Sequence, residues 1–380
     1  MVVLGSTGVL GRRVVDLALG LGFDVVGLSA GSNIELLADQ IARTGVRVAS
    51  VGTDQDRRLL TERCSCEDVG WGHSGLDRLA SLTADALVLC IPDMVGVFAA
   101  MRWIEAGKKL ICASKEVAVA AGAVMRAHAA ASGAEIVPLD SELTALHLLL
   151  ADHGAQVSTA VLTASGGSLL GRKDLASVTP ADVLRHPVWS MGPKVSVDSA
   201  SFVNKAFEIV IAHHLLGLPA QRLSAVIHPE CRVHAMVGLD DGTWRFHVAP
   251  PTMDWAIAAC LSGVAACERA QPKDEWQPFD GALSFLSLDP RADRAMDLAR
   301  EAMNEGGCLS TWLSAADSVA VEAFLSGTLP FTSIVPCIET TMDVATAKSL
   351  GACTSTDAVM DAHREATNAA RRAAEKLARS

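Results

Sequence analysis

The amino-acid sequence predicts an α/β protein with three parts: an N-terminal domain built on a parallel sheet, a central α+β domain and a C-terminal helical domain. Short β-branched runs alternate with helical periodicity over residues 1–139, a pattern typical of βαβ units. A hairpin pattern lies within residues 140–267, and residues 291–380 show helical periodicity throughout. Between them, residues 268–290 turn polar and predict a linker.

Each predicted element follows from its local pattern. The strands of the first domain are the runs Val2–Leu4, Asp24–Ser29, Val46–Val51, Ala86–Ile91, Lys109–Ala113 and Glu135–Leu139. Helical periodicity covers Gly11–Leu19 and Val117–Gly133. In the central domain, Asp240-Asp241-Gly242 predicts an antiparallel hairpin of Val233–Leu239 and Thr243–Val248. The last helix is predicted to begin near Ser355.

The composition excludes several classes of protein. The formal net charge of −11 argues against a nucleic-acid partner, because affinity for duplex DNA depends on cations that neutralise phosphates. The hydrophobic fraction of 50% excludes disorder. No stretch reaches the roughly 18–20 apolar residues of a membrane span and no signal peptide is recognised, so we expect a cytoplasmic protein that binds no membrane. Most of the ten cysteines lie in apolar runs and predict buried reduced thiols rather than disulfides.

A glycine-rich loop follows the first strand. Gly5, Gly8 and Gly11 are spaced by three and open a helix, as in a Rossmann-like site whose backbone approaches a pyrophosphate; an ordinary βα turn is the alternative. The end of the second strand has no acid to select the ribose of NAD, which favours NADPH, while the lack of a Lys or Arg there leaves NADH open. The cofactor contacts expected from the two segments are Gly5, Ser6, Thr7, Gly8, Val9, Leu10, Gly31, Ser32 and Asn33.

Two carboxylates follow the last strand of the first domain. Asp140 and Glu142 are two residues apart, and in an extended chain such side chains point the same way and can share one cation. Hard oxygen ligands without a nearby His or Cys pair suit Mg²⁺ or Mn²⁺. A solvated pair of surface acids is the alternative.

Residues 196–208 have the composition of a phosphate-binding helix start. Three hydroxyls, an amide and a lysine run into an apolar helix, and a merely well-capped helix explains only part of this pattern. Glu208 lies one helical turn after Lys205 and could complete a three-carboxylate metal site. Ser165, which follows another strand beside two glycines, offers a further hydroxyl.

Residues 186–193 predict a mobile flap. Trp189 and Met191 are flanked by proline and glycine on a loop, an arrangement that can cover a ligand and exclude water. A hydrophobic plug docked on its own domain is the alternative.

These motifs, in this order, resemble those of the 1-deoxy-D-xylulose 5-phosphate reductoisomerase family. The resemblance runs through Gly5–Gly11, Ala113–Glu116, Asp140–Glu142, Leu162–Gly167, His186–Gly192, Ser196–Glu208 and Ile227–Pro229. It implies an NADPH-binding domain, a catalytic domain with a flap and a helical domain, assembled as a homodimer. The implied reaction converts 1-deoxy-D-xylulose 5-phosphate to 2-C-methyl-D-erythritol 4-phosphate in isoprenoid biosynthesis.

The resemblance also implies a role for each motif. Asp140, Glu142 and Glu208 would hold Mg²⁺ or Mn²⁺ and, with Lys115, form the catalytic group. The substrate phosphate would be bound by Ser165, Ser199, Asn204 and Lys205, and the other substrate contacts would be Ser141, Lys115, His186, Trp189 and Met191. Lys115 and Glu116 would also contact the cofactor.

Several positions depart from the family pattern. Leu143 replaces a His, Asp254 reverses the charge of an Arg, and Ser32 stands where a Lys often meets the NADP phosphate. Asp317 and Ser318 take the places of Asn and Glu. Three functions therefore stay open: the reductoisomerase itself, a paralogous NAD(P)- and metal-dependent oxidoreductase or isomerase of another phosphorylated ketose, and a non-catalytic cofactor-binding regulator.

Overall fold

The structure, a computed structural model, describes residues 1–263, 276–277, 280–348, 351 and 353–379. The chain divides into two units, each with its own sheet. The first takes in residues 1–117 and 123–144 together with 252–263, and the second takes in residues 118–122, 145–251 and the described residues from 276 onward. Of the predicted linker 268–290, residues 268–275 and 278–279 lie outside the described residues.

Eleven strands are found in the described residues. They are β1 (Val2–Leu4), β2 (Gly27–Ser29), β3 (Val48–Val51), β4 (Asp68–Trp71), β5 (Ala86–Leu89), β6 (Lys109–Cys112), β7 (Ile136–Pro138), β8 (Val157–Ala164), β9 (Leu223–Ile227), β10 (Val233–Leu239) and β11 (Trp244–Val248). The six strands predicted for the first domain are all present, but five of them are shorter than predicted because only part of each predicted run pairs with its neighbours.

The helices of the same residues number fifteen. They are α1 (Val9–Gly20), α2 (Ile34–Thr44), α3 (Asp54–Thr61), α4 (Gly72–Ala80), α5 (Val97–Glu105), α6 (Lys115–Ser132), α7 (Ser141–His153), α8 (Pro180–Val183), α9 (Pro193–Ala200), α10 (Val203–Leu216), α11 (Asp254–Ser262), α12 (Pro290–Glu305), α13 (Leu309–Leu325), α14 (Ile334–Ala347) and α15 (Thr356–Leu377). Several begin at a side-chain cap: the side chains of Asn33, Thr53, Ser114 and Ser355 each accept a backbone N–H of the first turn.

The first unit is built on a seven-stranded parallel sheet, which confirms the predicted α/β class. Its strand order is β4-β3-β2-β1-β5-β6-β7, with β1 at the centre. The side chains of Val2, Val3 and Leu4 in β1 are fully buried, as expected for a strand covered on both faces. The order reverses direction at β1, so the loop after β1 opens at the point where a doubly wound sheet binds its ligand.

The second unit contains a four-stranded mixed sheet in the order β11-β10-β8-β9. β8 and β9 are parallel, and β10 is antiparallel to both β8 and β11. The predicted hairpin about Asp240–Gly242 is thereby confirmed. β10 is buried along its whole length, whereas Trp244 and Phe246 of the edge strand β11 are about half exposed.

Helices α12 to α15 make up the C-terminal part of the chain, as predicted. α13 is buried on nearly all sides, with Trp312 and Phe324 among its fully enclosed side chains. One disulfide, between Cys308 and Cys353, contradicts the prediction of reduced thiols for those two cysteines. Seven further cysteines of the described residues form no disulfide, and four of them are buried. No helix in the described part of the chain is both long and apolar enough to cross a bilayer.

Candidate active site

The glycine loop between β1 and α1 depends on two close backbone approaches. Gly5 has φ +82°, and a Cβ there would lie 2.8 Å from the carbonyl carbon of Cys90. A Cβ on Gly11 would lie 2.1 Å from the carbonyl oxygen of Gly5, so α1 packs directly on the loop. Within the described residues, no side chain caps the N-terminus of α1. Its first N–H groups are therefore available to an anion, as in a pyrophosphate site.

A buried polar network holds this loop in place. The Ser6 hydroxyl donates to Oε1 of Gln40 at 2.7 Å, and Nε2 of Gln40 donates back to the Ser6 carbonyl at 2.9 Å. The Gly5 N–H donates to Oγ of Ser29 at 2.9 Å. Ser6 is fully buried, so its backbone is the part left to contact a cofactor. Gln40 was not predicted; it occupies one of the core-facing positions of α2, which are otherwise apolar.

The segment after β2 is open to solvent. Gly31, Ser32 and Asn33 are all exposed, and they directly precede α2. The Asn33 side chain accepts the N–H of Leu36 at 3.2 Å and so caps α2. The three residues predicted to meet the ribose therefore lie at the C-terminal edge of the sheet.

The acidic pair lies at the start of a helix. The prediction that Asp140 and Glu142 point the same way because the chain is extended there is therefore wrong. Asp140 links β7 to α7, and its Oδ1 accepts the N–H groups of Glu142 at 3.1 Å and Leu143 at 3.2 Å. Glu142 belongs to the first turn of α7, and the Ser141 hydroxyl donates to its Oε2 at 2.7 Å. The Asp140 carboxylate is thus fixed because it accepts N–H groups that have no partner inside the helix, and the Glu142 carboxylate is held by the Ser141 hydroxyl.

Lys115 neutralises one of these acids. Its Nζ lies 2.7 Å from Oδ2 of Asp140, and both side chains are largely buried. Lys115 is the first residue of α6, whose cap is Ser114, and Glu116 beside it is also buried. The first unit therefore brings the predicted residues Lys115, Asp140, Ser141 and Glu142 together.

In the second unit, His186 is held as a specific tautomer. Its Nδ1 accepts the backbone N–H groups of Val188 at 3.2 Å and Trp189 at 3.0 Å, so the ring hydrogen resides on Nε2. Burial lowers the pKa of His186 below its ordinary value, which keeps the ring neutral. Nε2 lies 2.9 Å from Oγ of Ser165 and donates to it.

Ser165 is consequently left with its own hydrogen to donate. Its Oγ accepts from His186 and from the N–H of Gly167 at 3.1 Å. Since both lone pairs are used, the hydroxyl hydrogen is directed toward an acceptor such as a phosphate oxygen. Gly167, with φ +69°, packs on α9: a Cβ there would lie 2.9 Å from the Ser199 carbonyl oxygen. The predicted phosphate residues Ser165 and Ser199 therefore lie on neighbouring segments.

Residues 196–208 form two helices rather than the single helix start predicted. α9 ends near Ser201, whose hydroxyl bonds back to the Val197 carbonyl at 3.0 Å, and Phe202 turns the chain with φ +65°. The half-buried Ser199 hydroxyl has no hydrogen-bond partner among the described side chains and backbone groups. Phe202 adopts the left-handed conformation, which is uncommon for a residue other than glycine. The break between the two helices therefore could not be predicted from the composition.

Asn204 and Lys205 belong to the first turn of α10. Nδ2 of Asn204 donates to Oε1 of Glu208 at 2.7 Å, and Lys205 forms an ion pair with Oε2 of the same carboxylate. Glu208 is fully buried and Lys205 nearly so. A buried carboxylate held by two donors is fixed in place before any ligand arrives.

The predicted flap is a loop that ends at α9. The Trp189 ring packs edge-on against the ring of His234 in β10, with centroids 6.2 Å apart. Burial lowers the pKa of the neighbouring His247 to about 4, so this imidazole is neutral near pH 7. Met191 is half-buried in the same loop. Trp189 thus packs on a strand of its own unit through the ring of His234.

Three family models match the chain. Residues 1–122 match the model described as 1-deoxy-D-xylulose 5-phosphate reductoisomerase, residues 136–216 match its C-terminal domain model, and residues 248–369 match a second C-terminal domain model, that of DXP reductoisomerase.

Curated relatives carry the same description. The 1-deoxy-D-xylulose 5-phosphate reductoisomerase of Thermus thermophilus is 39% identical over 336 residues, which are 88% of this chain and 89% of that protein. The enzyme of Symbiobacterium thermophilum is 37% identical over 357 residues, 90% of each chain.

Solved structures are similar over the whole chain. The reductoisomerase of Zymomonas mobilis in complex with NADPH is 28% identical with a TM-score of 0.87, and 99% of each chain is covered. A reductoisomerase in complex with NADPH, fosmidomycin and magnesium is 26% identical with a TM-score of 0.90, covering 99% of this chain and 98% of the other.

Proposed function

The chain belongs to the 1-deoxy-D-xylulose 5-phosphate reductoisomerase family, and from this premise we propose that it converts 1-deoxy-D-xylulose 5-phosphate to 2-C-methyl-D-erythritol 4-phosphate with NADPH. The observation that carries the proposal is that two of the three clustered acids are each held by a lysine: Asp140 by Lys115, and Glu208 by Lys205. Such carboxylates are hard oxygen donors already held in position, as a divalent-metal enzyme requires.

NADPH is the cofactor we assign to the first unit. The glycine loop offers the N–H groups of α1 to a pyrophosphate, and the absence of an acid at residues 29–33 accommodates a 2′-phosphate. The contacts we propose are those expected from the sequence: Gly5, Ser6, Thr7, Gly8, Val9, Leu10, Gly31, Ser32, Asn33, Lys115 and Glu116.

The metal ligands we propose are Asp140, Glu142 and Glu208, each of which offers one carboxylate oxygen. An all-oxygen set of three acids fits Mg²⁺ or Mn²⁺ and not a soft metal. When bound, the cation supplies Lewis-acid polarisation of the substrate's carbonyl and hydroxyl oxygens, and NADPH supplies the hydride that reduces the rearranged aldehyde.

The chain's own residues bind and orient the substrate. The hydroxyl hydrogens of Ser165 and Ser199, the amide of Asn204 and the ammonium of Lys205 are proposed to bind the phosphate, which is remote from the reacting carbons and supplies binding energy. Lys115 and Ser141 would contact the substrate oxygens that gain negative charge.

Closure over the substrate is assigned to the loop that follows His186. His186 holds the backbone of Trp189, and we propose that Trp189 and Met191 cover the substrate and exclude water during the rearrangement.

We also propose that the protein is a homodimer. Edge strand β11 exposes Trp244 and Phe246 by nearly half, and Phe285 packs on Phe246 with ring centroids 6.0 Å apart. Leu286 beside it is 48% exposed. An open edge with exposed aromatic side chains favours pairing with a second copy. Light scattering should give twice the monomer mass for the unaltered protein. The Phe246→Arg variant should give the mass of a single monomer.

Domain division and location complete the proposal. We assign residues 1–139 to cofactor binding, 140–267 to catalysis, 268–290 to a linker and 291–380 to a helical domain. Most of the described cysteines form no disulfide, which favours a reducing, cytoplasmic location.

The test is NADPH oxidation, followed by absorbance, with 1-deoxy-D-xylulose 5-phosphate and Mg²⁺ or Mn²⁺. We expect oxidation that EDTA abolishes. A protein that binds NADPH but does not oxidise it with this substrate would contradict the proposal, and other phosphorylated ketoses, with NADH beside NADPH, would then be tested for the paralogous activity. Cofactor and metal binding without turnover of any sugar phosphate would indicate the non-catalytic regulator.

A further inference from the structure

Lys194 joins three helices of the second unit through one ammonium group. It lies in the first turn of α9, and its Nζ is 2.7 Å from Oδ2 of Asp198 one turn further along the same helix. It also forms an ion pair with Oδ2 of Asp317 in α13. The same Nζ lies 5.2 Å from the ring centroid of Phe207 in α10.

The two carboxylates in this cluster are buried. The side chain of Asp317 is fully enclosed and that of Asp198 is 4% exposed, while Lys194 retains 24% exposure. Removing one partner of a buried ion pair is costly because the other charge loses its counter-charge. Both acids pair with Lys194, so loss of its ammonium group would weaken a contact of α9 and a contact of α13 together.

The position of α9 matters because of what lies at its two ends. Its N-terminus directly follows the loop that carries Trp189 and Met191. Near its C-terminus lies Ser199, against which Gly167 packs at a distance that admits no side chain. α9 has only eight residues, so a shift at Lys194 is transmitted along its length.

We propose that Lys194 and Asp317 are positioning residues for the substrate phosphate, acting by fixing α9 on α13. Lys194 holds the helix that carries Ser199 and anchors the C-terminal end of the loop that covers the substrate. The proposal rests on the proposed function for the identity of the substrate. It also accounts for the acid at position 317, since an ammonium shared with Asp198 gives a second carboxylate a partner there.

The experiment compares Lys194→Met, Lys194→Arg and Asp317→Asn in the full chain. Lys194→Met should raise the KM for 1-deoxy-D-xylulose 5-phosphate about tenfold or more, with the KM for NADPH within about twofold. Lys194→Arg should restore most of the loss, because it keeps the charge. Asp317→Asn should have a smaller effect, and Lys194→Met should raise KM less when Asp317 is already Asn than it does alone, because coupled residues are not additive and only Asp198 then loses its counter-charge.

A second readout does not need turnover. Inorganic phosphate should raise the melting temperature of the unaltered protein and of the control Lys348→Met, which removes an exposed ion pair with Glu365 in the same unit. Inorganic phosphate should raise the melting temperature of Lys194→Met much less. If Lys194→Met does not fold, Asp317→Asn takes its place. Its KM values and its phosphate response are then compared with those of Lys194→Arg, in which the charge is kept.

Three results would overturn the inference. One is a lower melting temperature with unchanged KM and phosphate response, and another is an equal rise in both KM values. The third is additivity of Lys194→Met and Asp317→Asn. If the unaltered protein turns over no 1-deoxy-D-xylulose 5-phosphate, the proposed function fails, while the phosphate response still tests the role of Lys194.

Discussion

Two substitutions at His186 should separate its two contacts. Nδ1 accepts the N–H groups of Val188 and Trp189, and Nε2 donates to Ser165. In His186→Asn the amide oxygen can take the place of Nδ1 and accept the same N–H groups, so the covering loop keeps its position. The hydrogen bond to Ser165 is lost. In His186→Gln the longer side chain places its amide group near the position that Nε2 occupies in the histidine. It can therefore still donate to Ser165, while the loop loses its acceptor.

The magnitude follows from the exposure of the bonds. Val188 is exposed and Trp189 half-buried, so each N–H bond to Nδ1 is worth about 0.5–1 kcal/mol, at the low end for protein hydrogen bonds. Loss of both in His186→Gln amounts to about 1–2 kcal/mol, which corresponds to a rise in KM of about 5- to 30-fold. His186→Asn loses one bond to Ser165 and should raise KM by about 5-fold.

The assay is the KM for 1-deoxy-D-xylulose 5-phosphate together with Trp fluorescence on substrate binding. Trp189→Phe identifies the part of the signal that comes from Trp189. We expect His186→Gln to reduce that part and His186→Asn to retain it. Equal fluorescence responses in the two variants would refute the assignment of Nδ1 as the acceptor for the loop.

Four further changes test the rest of the site. Glu142→Gln should abolish metal-dependent turnover with the fold intact, as judged by circular dichroism; full activity would remove Glu142 from the mechanism. Ser199→Ala should weaken substrate binding by about 1–3 kcal/mol through a lost charge-assisted hydrogen bond, and an unchanged KM would place the phosphate elsewhere. Gly11→Ala should prevent NADPH binding, measured by fluorescence titration, because its Cβ would overlap the Gly5 carbonyl; unchanged affinity would contradict the packing of α1 on the loop. Because the pKa of His186 is lowered from 6.5, its contribution to loop closure is complete above pH 6.5 and is lost as the pH falls through the folded-state pKa; KM should therefore rise on acidification, and the same rise in His186→Asn would assign it to another group.

Much of the fold could be predicted because local pattern and tertiary pairing agree. The β-branched runs of the first domain and the Asp240–Gly242 turn each specify their element without help from distant residues. β4 was missed: Asp68–Trp71 is short, contains Gly70 and becomes a strand by pairing with β3. The Cys308–Cys353 pair, 45 residues apart, was also missed because spacing alone does not give connectivity.

The site residues were recognisable as types, but not their geometry. Composition marked Asp140 and Glu142 as acids for one cation, yet the capping bonds of Asp140 and the place of Glu142 in the first turn depend on where α7 begins. Gln40 could not be singled out, because a polar side chain in an amphipathic helix is ordinarily solvated. Asp254 departs from the family in charge, and only the structure shows that it forms an ion pair with Arg13 on α1.

The contact between Gly5 and Gly11 bears on how cofactor choice could be re-engineered. Helix and loop touch there through bare backbone, so a side chain at Gly11 would displace α1. The segment proposed to meet the ribose has more room: Ser32 is exposed, and among the described atoms beyond its chain neighbours none lies within 4 Å of a Cβ built on Gly31. Asn33 is committed to capping α2. A library aimed at switching between NADPH and NADH should therefore vary positions 31 and 32 and leave the glycine loop untouched.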